Sequence, residues 1–138
     1  MLVDCQFTRT TGRRDVFSAL LPTTVACFRL GEKTLPDFDL RPELTYHKVV
    51  SAFGYQDIDF ATHPEFSKSY LLRGSDENAI RMLFRPDMLN FFAGQKGWSV
   101  EVRGNWLVVY GLDHTVQPQD LPGFLEQTMR VFRLFANQ

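Results

Sequence analysis

What the sequence lacks argues against several classes of function. No apolar run approaches the roughly 20 residues that span a bilayer, and no charged segment followed by an apolar one marks a signal peptide. The longest basic run is Arg13-Arg14, and the formal net charge is −1. Because proteins that bind nucleic acid normally present a basic patch, no nucleic-acid partner is expected. A membrane association would need a segment that is absent from this chain.

Cysteine is scarce, and the familiar catalytic motifs are missing. Cys5 and Cys27 give no disulfide framework, and both lie in apolar, strand-like runs that favour buried thiols and a reducing compartment. We therefore expect a cytoplasmic location, or one at the cytoplasmic face of the membrane. The histidines have no HxxxH spacing, and no serine lies in a GxSxG or SxxK pattern. No cofactor is predicted, and a non-catalytic role is favoured over an enzymatic one.

What is present is typical of a globular domain. The chain has 138 residues, of which 44% are apolar and 22% are charged. Residues 1–138 are therefore expected to form one domain, which buries roughly two-thirds of its unfolded surface. The 13 phenylalanines predict a core packed with aromatic rings.

The stretch from Phe66 to Gly94 predicts a strand followed by an interrupted helix. Phe66, Tyr70 and Leu72 share one parity, as in a half-buried strand that ends at Gly74. Ser75 or Asp76 suits an N-cap, and the helical face that follows consists of Ile80, Leu83 and Phe84. Pro86 predicts a kink or the start of a new helix. Gly94 is expected to end the helix in the left-handed conformation.

A β-hairpin follows, with Gly104-Asn105 as its two-residue turn. Opposed residues in a hairpin share a sheet face. One face is then predicted to be core: Trp98, Val100, Val102, Leu107 and Val109. The other face holds Ser99, Glu101, Arg103, Trp106, Val108 and Tyr110, with Arg103 and Trp106 expected to form a cation–π pair. This second face is either covered by another element or is a binding surface formed by Arg103, Trp106 and Tyr110.

The remaining pattern predicts an α+β fold. Leu2–Arg9 and Thr23–Leu30 are expected to be antiparallel strands, and Phe38 and Leu40 lie in an extended segment between prolines. A helix from Pro118 has its expected apolar stripe at Leu121, Leu125, Thr128, Phe132 and Phe135, widened by Phe124 and Met129. The fold class is therefore an antiparallel sheet of five to seven strands, with a Pro-kinked central helix and a long amphipathic C-terminal helix packed on one face.

Asp57, Asp59 and His63 are the most suggestive set of metal ligands. On a strand, residues two apart point to the same side, so both carboxylates would converge on a cation with His63 nearby. The alternative is a solvated strand face with Ile58 and Phe60 buried behind it.

Three segments also carry a resemblance to known proteins. They are Leu35-Pro36-x-Phe38-x-Leu40-Arg41-Pro42-Glu43, Asp57-Ile58-Asp59-Phe60 and His63-Pro64-x-Phe66-Ser67-x-x-Tyr70-x-Leu72-Arg73-Gly74. They resemble the soluble C-terminal region of uncharacterised bacterial proteins that carry membrane helices upstream. The resemblance implies a domain of unknown function cut from a longer, membrane-anchored chain, and it brings no catalytic residue with it.

Two hypotheses follow from these observations. The first is a non-catalytic interaction or scaffold domain of a bacterial protein, which acts on a protein partner, on a second copy of itself or on a small ligand. The second is a small metal-dependent hydrolase that uses Asp57, Asp59 and His63.

Overall fold

One antiparallel sheet organises the molecule. The computed structural model describes residues 2–8, 20–43, 57–111 and 115–137. Within these residues the sheet has six strands, in the order β1-β2-β6-β5-β3-β4. The strands are β1 (Leu2–Thr8), β2 (Leu20–Arg29), β3 (Phe38–Pro42), β4 (Tyr70–Gly74), β5 (Trp98–Arg103) and β6 (Trp106–Gly111). The expected antiparallel pairing of the first two strands is confirmed, since Leu2 pairs with Ala26 and Thr8 with Leu20.

The helices of the described segments cover one side of this sheet, here called the inner face. They are α1 (Pro64–Ser69), α2 (Glu77–Leu83), α3 (Pro86–Gly94) and α4 (Leu121–Ala136), and a 3-10 turn at Pro118–Asp120 leads into α4. Ile80 from α2, Phe92 from α3 and Phe135 from α4 share one core cluster with Phe38 and Val102 of the sheet. The predicted α+β class is confirmed, and so is the C-terminal helix on the sheet.

The main core cluster of the described residues contains six buried aromatic rings, as the phenylalanine content predicts. Phe84 lies near its centre, with ring centroids 5.2 Å from Phe38, 5.9 Å from Phe135 and 6.5 Å from Phe92. All four side chains are at most 2% exposed. Edge-to-face and tilted ring pairs of this kind stabilise a core beyond the area they bury.

The predicted strand from Phe66 to Gly74 is a strand only from Tyr70 onward. Residues Pro64–Ser69 form α1, with the proline in the first turn, where its missing amide costs nothing. Phe66 and Tyr70 are four residues apart, so a helical turn also places them together, and their rings stack at 5.4 Å. The spacing alone therefore fits both structures.

The central helix is interrupted at Pro86 and starts again there. Asp76 is the N-cap of α2, and its carboxylate accepts a hydrogen bond from the Ala79 amide at 3.0 Å. Arg85 is extended, at φ −70° and ψ 163°, so α3 begins afresh at Pro86 instead of continuing through a kink. The helix α3 ends at Gly94 as expected. The left-handed residue in this connection is Gly97, at φ 100°, which corrects the conformation expected at Gly94.

The hairpin has the predicted register. Gly104 has φ 56°, and Val100 pairs with Val109, Val102 with Leu107. Those four side chains are fully buried, as predicted for the core face, and Trp98 at the start of the hairpin is half-buried.

The buried side of α4 agrees with its predicted stripe at three residues, Phe124, Thr128 and Phe135, and differs from it at the others. Its buried residues are Phe124, Thr128, Val131 and Phe135, while Leu125 is 39% exposed. Val131 lies outside the predicted stripe and Leu125 within it, because apolar residues with helical spacing occupy more than one face of this helix.

Candidate functional site

The side of the sheet opposite the helices, here called the outer face, contains the candidate site. Neighbouring residues on a strand point to opposite sides, so the residues between the core positions lie on this face. On strands β2 to β6, four arginines and two carboxylates lie there, an excess of two positive charges in a chain whose net charge is −1. The six residues are Arg29, Arg41, Arg73, Arg103, Asp39 and Glu101.

Trp106 is the most prominent apolar group of this face. It is 44% exposed, and it lies between Arg29 of β2 and Arg103 of β5 in the register of the sheet. The guanidinium carbon of Arg29 is 6.0 Å from the centre of the indole ring, within cation–π distance. Trp106 therefore forms its cation–π pair with Arg29 and not with Arg103, the predicted partner.

Arg103 is engaged elsewhere. Its guanidinium donates hydrogen bonds to the Asp39 carboxylate at 2.8 Å and to the Phe38 carbonyl at 3.1 Å. It therefore ties the hairpin to β3. A partly exposed pair of this kind contributes little to stability by itself, but it fixes the position of Arg103 beside Trp106.

Tyr110 belongs to a second polar group on this face. Its hydroxyl donates to Glu101 at 2.5 Å, and Glu101 also pairs with Arg41 at 3.1 Å. Tyr110 is only 6% exposed. Burial and the negative charge of Glu101 both raise the pKa of the Tyr110 phenol. Tyr110, a predicted binding residue, is thus a buried support for the face, whereas Arg103 and Trp106 reach solvent.

The predicted metal ligands are used in three different ways. Asp57 accepts a hydrogen bond from the Leu72 amide at 2.8 Å, and its pKa is raised chiefly by burial. The side chain of Asp59 is exposed, and its carbonyl accepts from Arg81 at 2.7 Å. His63 is the N-cap residue of α1, and its ring lies 2.9 Å from the Thr62 hydroxyl. Across the described ranges, no three His, Cys, Asp or Glu side chains converge as metal ligands.

Sequence reasoning missed Arg29 and Arg81. Arg81 donates to Glu77 and to the Asp59 carbonyl, and its guanidinium lies 5.3 Å from the Phe60 ring, so it holds the 57–60 segment against α2. The charged i, i+4 spacing of Glu77 and Arg81 is a sequence signal for their pair. Nothing local indicates Arg29, since its position beside Trp106 depends on the pairing of β2 with β6.

Over the described parts of the chain, no helix combines the length and apolar character needed to cross a bilayer. Comparison with known proteins finds no matching family model, no matching curated protein and no matching solved structure.

Proposed function

We propose that this chain is a non-catalytic interaction domain that binds an acidic segment of a partner protein through the outer face of its sheet. The observation that carries this proposal is the exposed Trp106 beside Arg29. Tryptophan and arginine are the residues most enriched at the energetic centres of protein interfaces.

The charges favour an acidic partner. Arg41 and Arg103 each pair with a carboxylate of the same face. Among the salt bridges of the described residues, Arg29 has no carboxylate partner, so its charge is available to a ligand. An excess of positive charge steers acidic groups toward this face, and the effect weakens as salt increases.

The rest of the proposal depends on the resemblance of three segments to soluble regions of membrane-anchored bacterial proteins. On that basis the domain is placed at the cytoplasmic face of a membrane, as part of a longer chain. The metal-dependent hydrolase is not carried further, because Asp57, Asp59 and His63 do not converge as metal ligands within the described residues.

Photo-crosslinking tests the proposed binding surface. A photoreactive p-benzoylphenylalanine replaces Trp106 in one variant and Met82 in another, and the cells that make the protein are irradiated. Met82 is 77% exposed on α2, on the helical side of the sheet, and serves as the control position. We expect a discrete crosslinked product from position 106 and none from position 82. The crosslinked peptide of the partner should be rich in Asp and Glu.

Charge reversal then tests the role of Arg29. Arg29→Glu should weaken binding of the captured acidic peptide by at least about tenfold, as expected for an arginine at the centre of an interface. Arg130→Glu is the matched control, since Arg130 is exposed on α4 and should leave binding unchanged. Equal products from both positions, a product consisting of a second copy of this chain, or equal effects of the two reversals would each contradict the proposal.

A further inference from the structure

A second surface lies at the opposite end of the hairpin from Trp106. The first turn of α4 and the 3-10 turn before it stand apart from the start of β5, leaving an open cleft of about 430 Å³. This volume lies within the range of small-molecule sites in proteins. The cleft shares no residue with the proposed protein-binding surface.

One wall of the cleft is aromatic. The rings of Trp98 and Phe124 lie 6.2 Å apart and are tilted by 40°, and Val116 is packed in the same apolar cluster. Phe124 is 8% exposed, Trp98 is half-buried, and both residues line the cleft. Such a wall suits a flat apolar ring, which would gain from stacking as well as from burial.

The rim of the cleft carries a carboxylate that does not cap the helix it precedes. Asp120 is the N-cap residue of α4, yet its side chain accepts no capping hydrogen bond. Its backbone already has helical angles, φ −96° and ψ −8°, because it ends the 3-10 turn, whereas a capping residue normally has extended angles. Among the described lining residues Asp120 is the charged one, and its carboxylate is the group of the cleft that can pair with a cation.

Gly123 keeps the cleft open on the side of the helix. Glycine is among the least favourable residues in a helix, but Gly123 lies in the first turn of α4 and lines the cleft. A Cβ atom at this position would meet nothing within 4 Å. A larger side chain therefore fits without a clash and would occupy space in or beside the cleft.

We propose that this cleft binds a small organic cation of the arylalkylamine class, in which a flat apolar ring carries an ammonium group on a short alkyl chain. The ring lies against Trp98 and Phe124, and the ammonium group pairs with the Asp120 carboxylate. The side-chain amide of Gln127, which also lines the cleft, is a further hydrogen-bonding group for the ligand.

Nuclear magnetic resonance titration tests this site, with phenethylamine as the probe and phenylacetate as its matched anion. The two tryptophans report on the two surfaces, and their indole N–H signals are assigned with Trp98→Phe and Trp106→Phe. Millimolar phenethylamine is expected to shift the Trp98 signal in a saturable way and to leave Trp106 unchanged, while phenylacetate shifts neither. A shift of both signals, equal shifts with the anion, or no shift of Trp98 would overturn the proposal.

Two variants separate the contributions of charge and space. Asp120→Asn should weaken phenethylamine binding by at least about fivefold, as expected when a charged partner is removed, and Glu126→Gln on the same helix should have no effect. Gly123→Leu should abolish binding by filling the cleft, whereas Gly123→Ala, which adds one methyl group, should retain most of it. If Asp120→Asn binds phenethylamine as tightly as the unaltered chain, the assigned role of the carboxylate is wrong.

Discussion

The carboxylate of Asp57 lies against β4, the last strand of the sheet in the described residues. It accepts a hydrogen bond from the Leu72 amide at 2.8 Å, while the Ile58 amide donates to the Leu72 carbonyl at 2.7 Å. Together these contacts occupy both backbone groups of Leu72 on the edge of the sheet, where an unpaired strand would invite association with another chain. Asp57, which the sequence marks as a metal ligand, thus has a structural role.

This role predicts different results for two substitutions of Asp57. Asp57→Ala removes the acceptor and should lower the free energy of unfolding by about 1–3 kcal/mol. Asp57→Asn keeps an acceptor oxygen and removes a partly buried charge, so it should cost little at neutral pH. Urea unfolding of both variants makes the comparison, with Asp59→Asn as the exposed control.

The pH dependence of the Asp57→Asn comparison has a definite sign. Burial raises the pKa of Asp57 above its ordinary value of 3.8, so the folded state favours the protonated carboxyl. The resulting stabilisation is present below that ordinary value and is lost as the pH rises through the folded pKa. The free energy of unfolding of the unaltered protein should therefore rise relative to that of the Asp57→Asn variant as the pH falls toward 4. If Asn were as damaging as Ala at neutral pH, the charge itself would be required.

Gly74 predicts a second effect at a single residue. A Cβ atom there would lie 2.3 Å from the Ile80 side chain and 2.6 Å from the Asp37 carbonyl oxygen. Because a backbone oxygen cannot rotate away, Gly74→Ala should destabilise the fold by about 1–3 kcal/mol. Gly94→Ala is the matched control, since a Cβ there meets nothing within 4 Å and should change stability by no more than about 1 kcal/mol. Equal thermal shifts for the two variants would contradict the close packing at Gly74.

At the scale of the element, α4 shows that apolar residues of one helix can differ in how deeply they are buried. Phe135 is fully buried, with its ring 5.6 Å from Phe38 and 5.9 Å from Phe84. Phe132 is half-buried, and its ring stacks on Phe28 at 4.6 Å. The helix therefore presents Phe135 to the core and Phe132 to its margin.

Alanine substitutions measure this difference. Phe135→Ala should lower the free energy of unfolding by about 3–5 kcal/mol, the usual loss for a buried ring. Phe132→Ala should cost about 1–2 kcal/mol, because part of its surface already faces water. Urea unfolding measures both losses, provided that the free energy of unfolding has the same dependence on urea concentration in the two variants. A loss for Phe132→Ala that matches that of Phe135→Ala would mean that Phe132 is part of the core and not of its margin.

Elements that are specified by turn residues and a local apolar pattern are predictable from the sequence. The face that a helix turns toward the core is less predictable. The hairpin is fixed by Gly104-Asn105 and strict alternation, so its register and core face are as predicted. The stripe of α4 is only partly as predicted, because Leu125 and Phe132 satisfy helical spacing as well as Val131 does. Which of them faces inward is decided by the rings that the sheet and the other helices present, and these come from distant parts of the chain.

At the scale of the whole molecule, the candidate binding surface depends on long-range pairing. Arg29 and Trp106 are 77 positions apart in the numbering, and they become neighbours because β2 pairs with β6. Arg103 reaches Asp39 because β3 lies between β5 and β4. A sequence shows that Trp106 is apolar and on the non-core side of a hairpin, but the strand order determines which charge stands beside it.

Among the described residues, two buried phenols give a prediction for the stability of the fold in alkali. Tyr70 is 1% exposed and donates to the Gln95 carbonyl at 2.7 Å, and burial raises its pKa from 10.0 to about 12. The pKa of Tyr110 is also raised, by burial and by Glu101. The native state therefore retains both protons at a pH where the unfolded chain has begun to release them. The resulting stabilisation is fully present below pH 10 and is lost as the pH rises through the folded pKa values.

Urea unfolding between about pH 8 and about pH 11 should show this loss, which amounts to about 1.4 kcal/mol for each raised phenol on reaching about pH 11. Tyr70→Phe and Tyr110→Phe each remove one titrating group, so the difference in unfolding free energy between the unaltered protein and each variant should be constant up to about pH 9 and then shrink as the pH rises. Lysines and arginines also titrate in this range, but they are common to all the proteins compared and cancel in the difference. A difference that stays constant up to about pH 11 would show that the phenols have ordinary pKa values, and that Tyr110 is more accessible than its place beneath the outer face implies.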